Sequence, residues 1–134
     1  MLDLRKRYQT DLKAEEDGVW VPLEDNGRIK VARQGNKRHA QFLTEAMAPY
    51  RSILGVPGAK LSDDLATKIS IEAMAKTILL DWDGIAQDGR ELPYSVEAAI
   101  SILTDVPEFR EIVFKASNTF ETFRLERLAA DRGN

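Results

Sequence analysis

Three aspartates in the middle of the chain are the first residues whose spacing could do chemistry. Asp81, Asp83 and Asp88 occur in the run DWDGIAQDG, and closely spaced carboxylates can bind calcium. An EF-hand loop that began at Asp81 would require an oxygen ligand at position 85, glycine at 86 and an acid at 92. The sequence has isoleucine, alanine and leucine there. We therefore predict no metal site and interpret the Asp-Gly pairs as turn residues.

Other catalytic groups are scarce. The chain contains no cysteine, and His39 is its only histidine, so a thiolate site or a pair of histidine ligands is excluded. Beside Lys37 and Arg38, His39 is typical of a surface or half-packed residue rather than a catalyst. No phosphate-binding glycine loop, nucleophile elbow or HExxH motif occurs, although a two-carboxylate site stays open. We predict a non-enzymatic protein without a cofactor.

Charge is segregated along the chain. Every charged residue from Arg28 to Arg38 is basic, and Trp20 lies nearby, whereas the stretch from Ser62 to Glu111 is mainly acidic. The net charge of −3 argues against nucleic acid as a partner. Two solvated faces would explain the pattern, and so would a head-to-tail contact between copies of the chain. The candidate self-association residues are Arg28, Lys30 and Arg33 against Asp81, Asp83 and Asp88.

The elements that position these residues form one domain. With 134 residues, 43% hydrophobic and 31% charged, the chain is long enough for a single core. We predict an N-terminal arm at 1–17, a single helical domain at 18–128 and an exposed C-terminal tail at 129–134. The arm would order on a partner or fray. No apolar run typical of a signal or membrane anchor is visible, so we expect a cytoplasmic protein.

One β-hairpin is predicted at about 18–33. Its β-prone strands flank the turn EDNG, in which Asn26-Gly27 suits positive φ angles. Pro22 limits its strand to a sheet edge. Because a lone hairpin is only marginally stable, it must lie on the helices or pair with another chain.

The remaining pattern is helical. A central helix capped by Ser62 would place Ile71, Met74, Ile78 and Trp82 on one face. Further helices are predicted after Asn36, Ser95 and Asp105. The last would carry Phe109, Val113, Phe120 and Phe123 as one stripe, which is either core or a groove for an apolar helix from another protein. The predicted fold class is mainly α: a compact helical domain of about five helices with one N-terminal β-hairpin.

Several segments together resemble the tail assembly chaperones of long-tailed bacteriophages. The resemblance is closest to the HK97-like siphophage family, the functional counterpart of the lambda G protein. It runs from about Asp17 to Leu128, and its distinctive part is the pattern W-[DE]-G-I…DG-x-x-[LV]-P-[YF]-S at Trp82 to Ser95. The matching segments are GVWV (18–21), ARQGN (32–36), PYR (49–51), ILLDWDGI (78–85), DGRELPYS (88–95) and DVPEFR (105–110).

The resemblance implies a mainly helical protein that self-associates into rings or spirals. It implies binding to the tape measure protein before the tail tube polymerises, in the host cytoplasm and outside the mature virion. It also implies a frameshifted extended form that recruits tail tube protein, which the exposed tail would suit. No membrane partner is expected.

The stripe and the hairpin supply the candidate client-binding residues. They are Trp20, Phe109, Val113, Phe120 and Phe123. A structural head-tail connector, or another small virion morphogenesis protein, is the alternative. The third hypothesis is a small enzyme or a nucleic-acid binder.

Overall fold

The computed structural model describes residues 1–132, which build a three-stranded antiparallel sheet with helices on its inner face. Helix α5 lies against β3, α7 lies against β2, α6 contacts both of these helices, and α3 packs on α5. The elements are α1 (Leu4–Tyr8), α2 (Leu12–Asp17), β1 (Val19–Pro22), β2 (Arg28–Val31), α3 (Lys37–Met47), α4 (Arg51–Leu54), α5 (Asp63–Thr77), β3 (Leu79–Asp83), β4 (Ala86–Gln87), β5 (Arg90–Glu91), α6 (Val96–Asp105), α7 (Pro107–Ser117) and α8 (Leu125–Arg132), with 3-10 turns at Ala48–Tyr50 and Phe120–Phe123.

The predicted fold class is wrong, because the fold is mixed α/β. The hairpin of β1 and β2 is extended by β3 in the order β1-β2-β3, and β4 pairs with β5 in a second, two-stranded sheet. In the β2–β3 ladder, Ile29 lies opposite Trp82. The hairpin therefore gains its third strand from its own chain, and this pairing supplies the stability that two strands alone lack.

The central helix ends one turn earlier than predicted. Helix α5 begins at the Ser62 cap but stops at Thr77, and Ile78 leads into β3. The Asn36 side chain fixes this end, since it caps α3 through the His39 N–H (3.0 Å) and donates to the Thr77 carbonyl (3.1 Å). Trp82 is thereby a strand residue rather than a member of the helix face.

Trp82 and Tyr94 join β3 to the segment that precedes α6. The Trp82 indole N–H donates to the Leu92 carbonyl at 2.7 Å, and the Tyr94 hydroxyl donates to the Leu79 carbonyl at 2.7 Å. The two rings meet edge to face with centroids 5.1 Å apart. Burial raises the pKa of Tyr94, and the negative charge of Asp81 adds to that effect. The segment that contains the distinctive sequence pattern is thus part of the core framework.

The N-terminal arm is docked on the C-terminal segment. The Asp11 N–H donates to the Phe123 carbonyl, and the Leu125 N–H donates to the Gln9 carbonyl, both at 2.8 Å. Asp11 caps α2 and accepts from Arg132 at 2.8 Å. The Ala14 N–H, and then Arg132, hold the pKa of Asp11 below its usual value. The arm is therefore packed against the C-terminal segment of the domain.

The predicted phenylalanine stripe is divided between two elements. Helix α7 ends at Ser117, and the 3-10 turn at Phe120–Phe123 follows it. In that turn Phe123 lies in the core (0% exposed), whereas Phe120 is 58% exposed. Residues 129–132 of the predicted tail are exposed and helical, and residues 133–134 lie outside the described residues. Within residues 1–132, no helix has both the length and the apolar character that a membrane span requires.

Candidate functional site

An open groove of about 930 Å³ lies at one end of the sheet. Three segments distant in sequence form it: the turn after β1, the turn after β3 and the start of α7. Its apolar lining is Pro22, Leu23, Ile85, Ala86, Val106, Phe109 and Ile112, and its remaining lining residues are Glu24, Asp25, Gly27, Gly84 and Glu108.

Two glycines allow the first two segments to touch. Gly84 has a φ of +68°, and a Cβ on it would lie 2.6 Å from the Asn26 carbonyl oxygen. A Cβ on Gly27 would lie 3.3 Å from the Ile85 side chain and 3.4 Å from the Gly84 carbonyl oxygen. The positive φ angles of the hairpin turn belong to Asp25 and Asn26, one residue before the predicted pair. Gly27 therefore favours close approach of the two turns and is not in a left-handed conformation.

The third segment is placed by Phe109. Its ring meets Trp82 edge to face at a centroid distance of 6.5 Å, which fixes the first turn of α7 beside the sheet. Pro107 occupies the start of α7, and no side chain caps this helix, so the predicted Asp105 cap is wrong. Helix α6 continues through Asp105 instead. Ile112, one turn further along α7, stays 40% exposed at the groove.

The charges around the groove have one sign. Glu24, Asp25 and Glu108 are exposed lining residues, and no basic residue of the described chain lines the groove. An apolar floor between carboxylates can receive apolar side chains from a segment that also carries positive charge. The groove thus combines an apolar floor with charges of one sign.

Most of the predicted self-association residues lie together on the outer face of the sheet. Arg28 pairs with Asp83 at 3.2 Å, and its guanidinium lies 4.0 Å from the Trp20 ring centroid. Lys30 lies opposite Asp81 in the β2–β3 ladder. The segregated charges in the sequence therefore meet within a single chain.

The other two predicted self-association residues lie elsewhere. Arg33 pairs with Glu15 at 3.1 Å and lies 4.2 Å from the Phe120 ring centroid. Asp88 occupies the β4–β5 turn with a φ of +52°. The structure does not bring these two residues to the outer sheet face.

Of the predicted client-binding residues, only Phe109 lines the groove. Val113 and Phe123 are core residues with 0% exposure, and no client reaches them in this conformation. Phe120 is exposed under Arg33, and Trp20 is half-buried beneath Arg28.

Sequence reasoning missed most of the apolar lining of the groove. Leu23, Ile85 and Val106 each adjoin a turn residue or the start of an element. Neither a helical nor a strand period requires an apolar residue at these positions. An apolar residue that neither period explains was therefore the signal in the sequence that could have identified the groove.

The part of the chain that the structure describes shows no cluster of metal ligands. Within residues 1–132, no three His, Cys, Asp or Glu side chains are grouped so that they could hold a metal ion. His39 is buried at the start of α3, where its Nδ1 accepts from the Gly35 N–H at 3.2 Å. Burial lowers the pKa of His39. Its contacts are those of a structural histidine.

Comparisons with known proteins show similarity to a prophage protein family. The family model described as the YdaY prophage protein matches residues 28–134. No curated protein and no solved structure matches the chain.

Proposed function

This chain belongs to the YdaY prophage protein family, and we propose that it is a phage tail assembly chaperone. In this proposal it binds and solubilises the tape measure protein, self-associates into rings or spirals, and helps to recruit tail tube protein through an extended form. It acts without catalysis and without a cofactor, in the host cytoplasm.

One observation supports the proposal most. Two of the six resembling segments meet at the groove: Gly84 and Ile85 come from ILLDWDGI, and Val106, Glu108 and Phe109 come from DVPEFR. Trp82, in the first of these two segments, contacts Phe109, in the second. This part of the resemblance therefore coincides with one surface.

The groove suits a helical client on physical grounds. A long tape measure helix with uncovered apolar stripes aggregates unless another surface covers it. Side chains one turn apart on such a helix could enter the groove between its apolar walls. Several copies bound along one client would cover more of its apolar stripes than a single copy does.

Co-expression with the tape measure protein of the same prophage tests the proposal. We expect the client to be soluble and to co-purify with the chain. Ile112→Ser, at the groove, should reduce co-purification about tenfold, the effect of roughly 1.4 kcal/mol of lost contact. The matched control is Ile53→Ser, because Ile53 is also an exposed isoleucine but lies outside the groove.

Two results would contradict the proposal. One is a client that is equally soluble without the chain, or that is retained equally by both variants. The other is recovery of the chain, by mass spectrometry, as a component of purified mature particles. The second result would favour a structural head-tail connector or another small virion protein.

A further inference from the structure

The first helix presents an apolar surface that its own chain leaves uncovered. No residue of α1 is buried, and Leu2, Leu4 and Tyr8 are all exposed, Leu4 at 65%. We call residues 2–8 the cationic segment, since three adjacent basic side chains accompany these apolar ones. They are Arg5, Lys6 and Arg7.

The groove has the complementary character. Its apolar floor is open, and the charged residues that line it are Glu24, Asp25 and Glu108. The three basic side chains outnumber the one acid of the segment, Asp3, so an apolar segment of net positive charge matches an apolar groove lined by three carboxylates, and like-charged partners would be disfavoured. The chain thus carries both halves of a complementary pair.

The two halves lie at opposite ends of the domain. Strand β1 begins at Val19, beside the arm, and ends at Pro22, in the groove. Helix α7 begins at the groove, and its last residue, Ser117, accepts from the Gln34 N–H near the docked arm. The two elements span roughly 13 Å and 16 Å at the usual rise per residue. Hydrogen bonds to Phe123 and Leu125 hold the arm at its own end, and no residue of its cationic segment lines the groove of its own chain.

We infer that the groove of one copy receives the cationic segment of the next copy, in a head-to-tail contact. Such a contact uses two different surfaces, so it produces rings when the rotation closes and spirals when it does not. The inference rests on the self-association in the proposed function and names its two surfaces. It requires no tape measure client, and the client would compete with the segment for the same groove.

Disulfide trapping between two copies tests the contact directly, because the natural chain has no cysteine. Leu4→Cys and Ile112→Cys are made in separate, differently tagged full-length chains, which are mixed and oxidised without client. We expect at least about tenfold more mixed disulfide from this pair than from Leu4→Cys with Ile53→Cys, since docking raises the effective concentration only at the groove. All three positions are exposed, so the folded domain tolerates the substitutions.

Charge reversal provides a second readout by sedimentation velocity. Glu24→Lys should weaken self-association about tenfold and make it less sensitive to salt. Glu45→Lys is the control, because Glu45 is an exposed glutamate on α3, outside the groove. Combining Glu24→Lys with Lys6→Glu should restore part of the association.

The outcomes separate the two proposals. If the chain self-associates but the Ile112 and Ile53 pairs cross-link equally, the arm-groove contact is overturned and self-association stands. If the chain is a monomer at its highest soluble concentration, both are overturned. Co-purification of the tape measure protein is measured separately and decides client binding in either case.

Discussion

The outer face of the sheet and the groove differ in how their charges are balanced. On the outer face, Arg28 reaches Asp83, and Lys30 lies opposite Asp81 on the neighbouring strand. In the groove, the carboxylates have no basic neighbour among the lining residues. The first surface sets basic side chains beside acidic ones within one chain, whereas the lining of the second has acidic and apolar groups without a basic residue.

This difference shows where a binding surface should be sought in such a chain. The segregation of charge in the sequence points first to the basic run and the acidic loop, but pairing of β2 with β3 already places Arg28 and Lys30 beside acidic residues of the same chain. Groups that stay unbalanced after folding have the larger potential to select a partner. The groove and the cationic segment meet that condition.

Disruption of the contact between the two turns that form the groove should give the largest effect. Gly84→Ala places a Cβ 2.6 Å from the Asn26 carbonyl oxygen at a φ of +68°. Overlap and backbone strain together should lower the free energy of unfolding by about 2 to 5 kcal/mol. Urea denaturation measures the loss, and the turn on which the groove depends should open.

Gly89→Ala is the matched control for Gly84→Ala. Gly89 has a similar φ of +77°, but a Cβ there would contact nothing within 4 Å. It should cost only the conformational strain of about 1 to 2 kcal/mol. Equal losses for the two variants would show that the two turns do not pack as described, and would remove the structural basis of the groove.

Local signals predicted three helix caps and the two hairpin strands, although the predicted fold class was wrong. Polar side chains at Asn36, Ser62 and Ser95 cap helices as expected, because capping depends on a few neighbouring residues. The hairpin strands also appear where the β-prone residues occur. Long-range pairing was not predictable in the same way. Strand β3 was assigned to a helix because Ile71, Met74, Ile78 and Trp82 also fit a helical period, although Asp81 and Asp83 alternate with Trp82 as in a strand.

The candidate site was harder to predict than the fold. Phe109 was identified, but Val113 and Phe123 share its stripe and lie in the core. A helical period identifies an apolar stripe, and it does not say which members a neighbouring element covers. Ile85 and Ile112 become partners in one groove only when the turn after β3 meets α7, and that contact spans 27 positions of sequence.

A smaller effect should come from His39, which lies outside both the groove and the outer face of the sheet. Its substitution therefore tests how the stability of the whole domain depends on pH. Burial lowers the pKa of folded His39 below its usual 6.5. Below about pH 6.5, the unfolded chain therefore binds a proton that the folded chain lacks, and stability falls as the pH falls. His39→Gln should lack this loss when unfolding is compared between pH 7.5 and 5.5. If His39→Gln loses as much stability as the natural chain between these two pH values, His39 is not the group whose protonation lowers the stability.

The smallest effect should come from the outer face. Arg28 and Asp83 are 47% and 61% exposed in their side chains, so a double-mutant cycle with Arg28→Ala and Asp83→Ala should give a coupling of about 0.2 to 1 kcal/mol. The coupling should shrink as salt is added, because exposed charges are screened. Self-association should persist in both variants, since this pair is satisfied within one chain. If Arg28→Ala dissociates the oligomer as strongly as Glu24→Lys, the outer face is an interface and its contrast with the groove is lost.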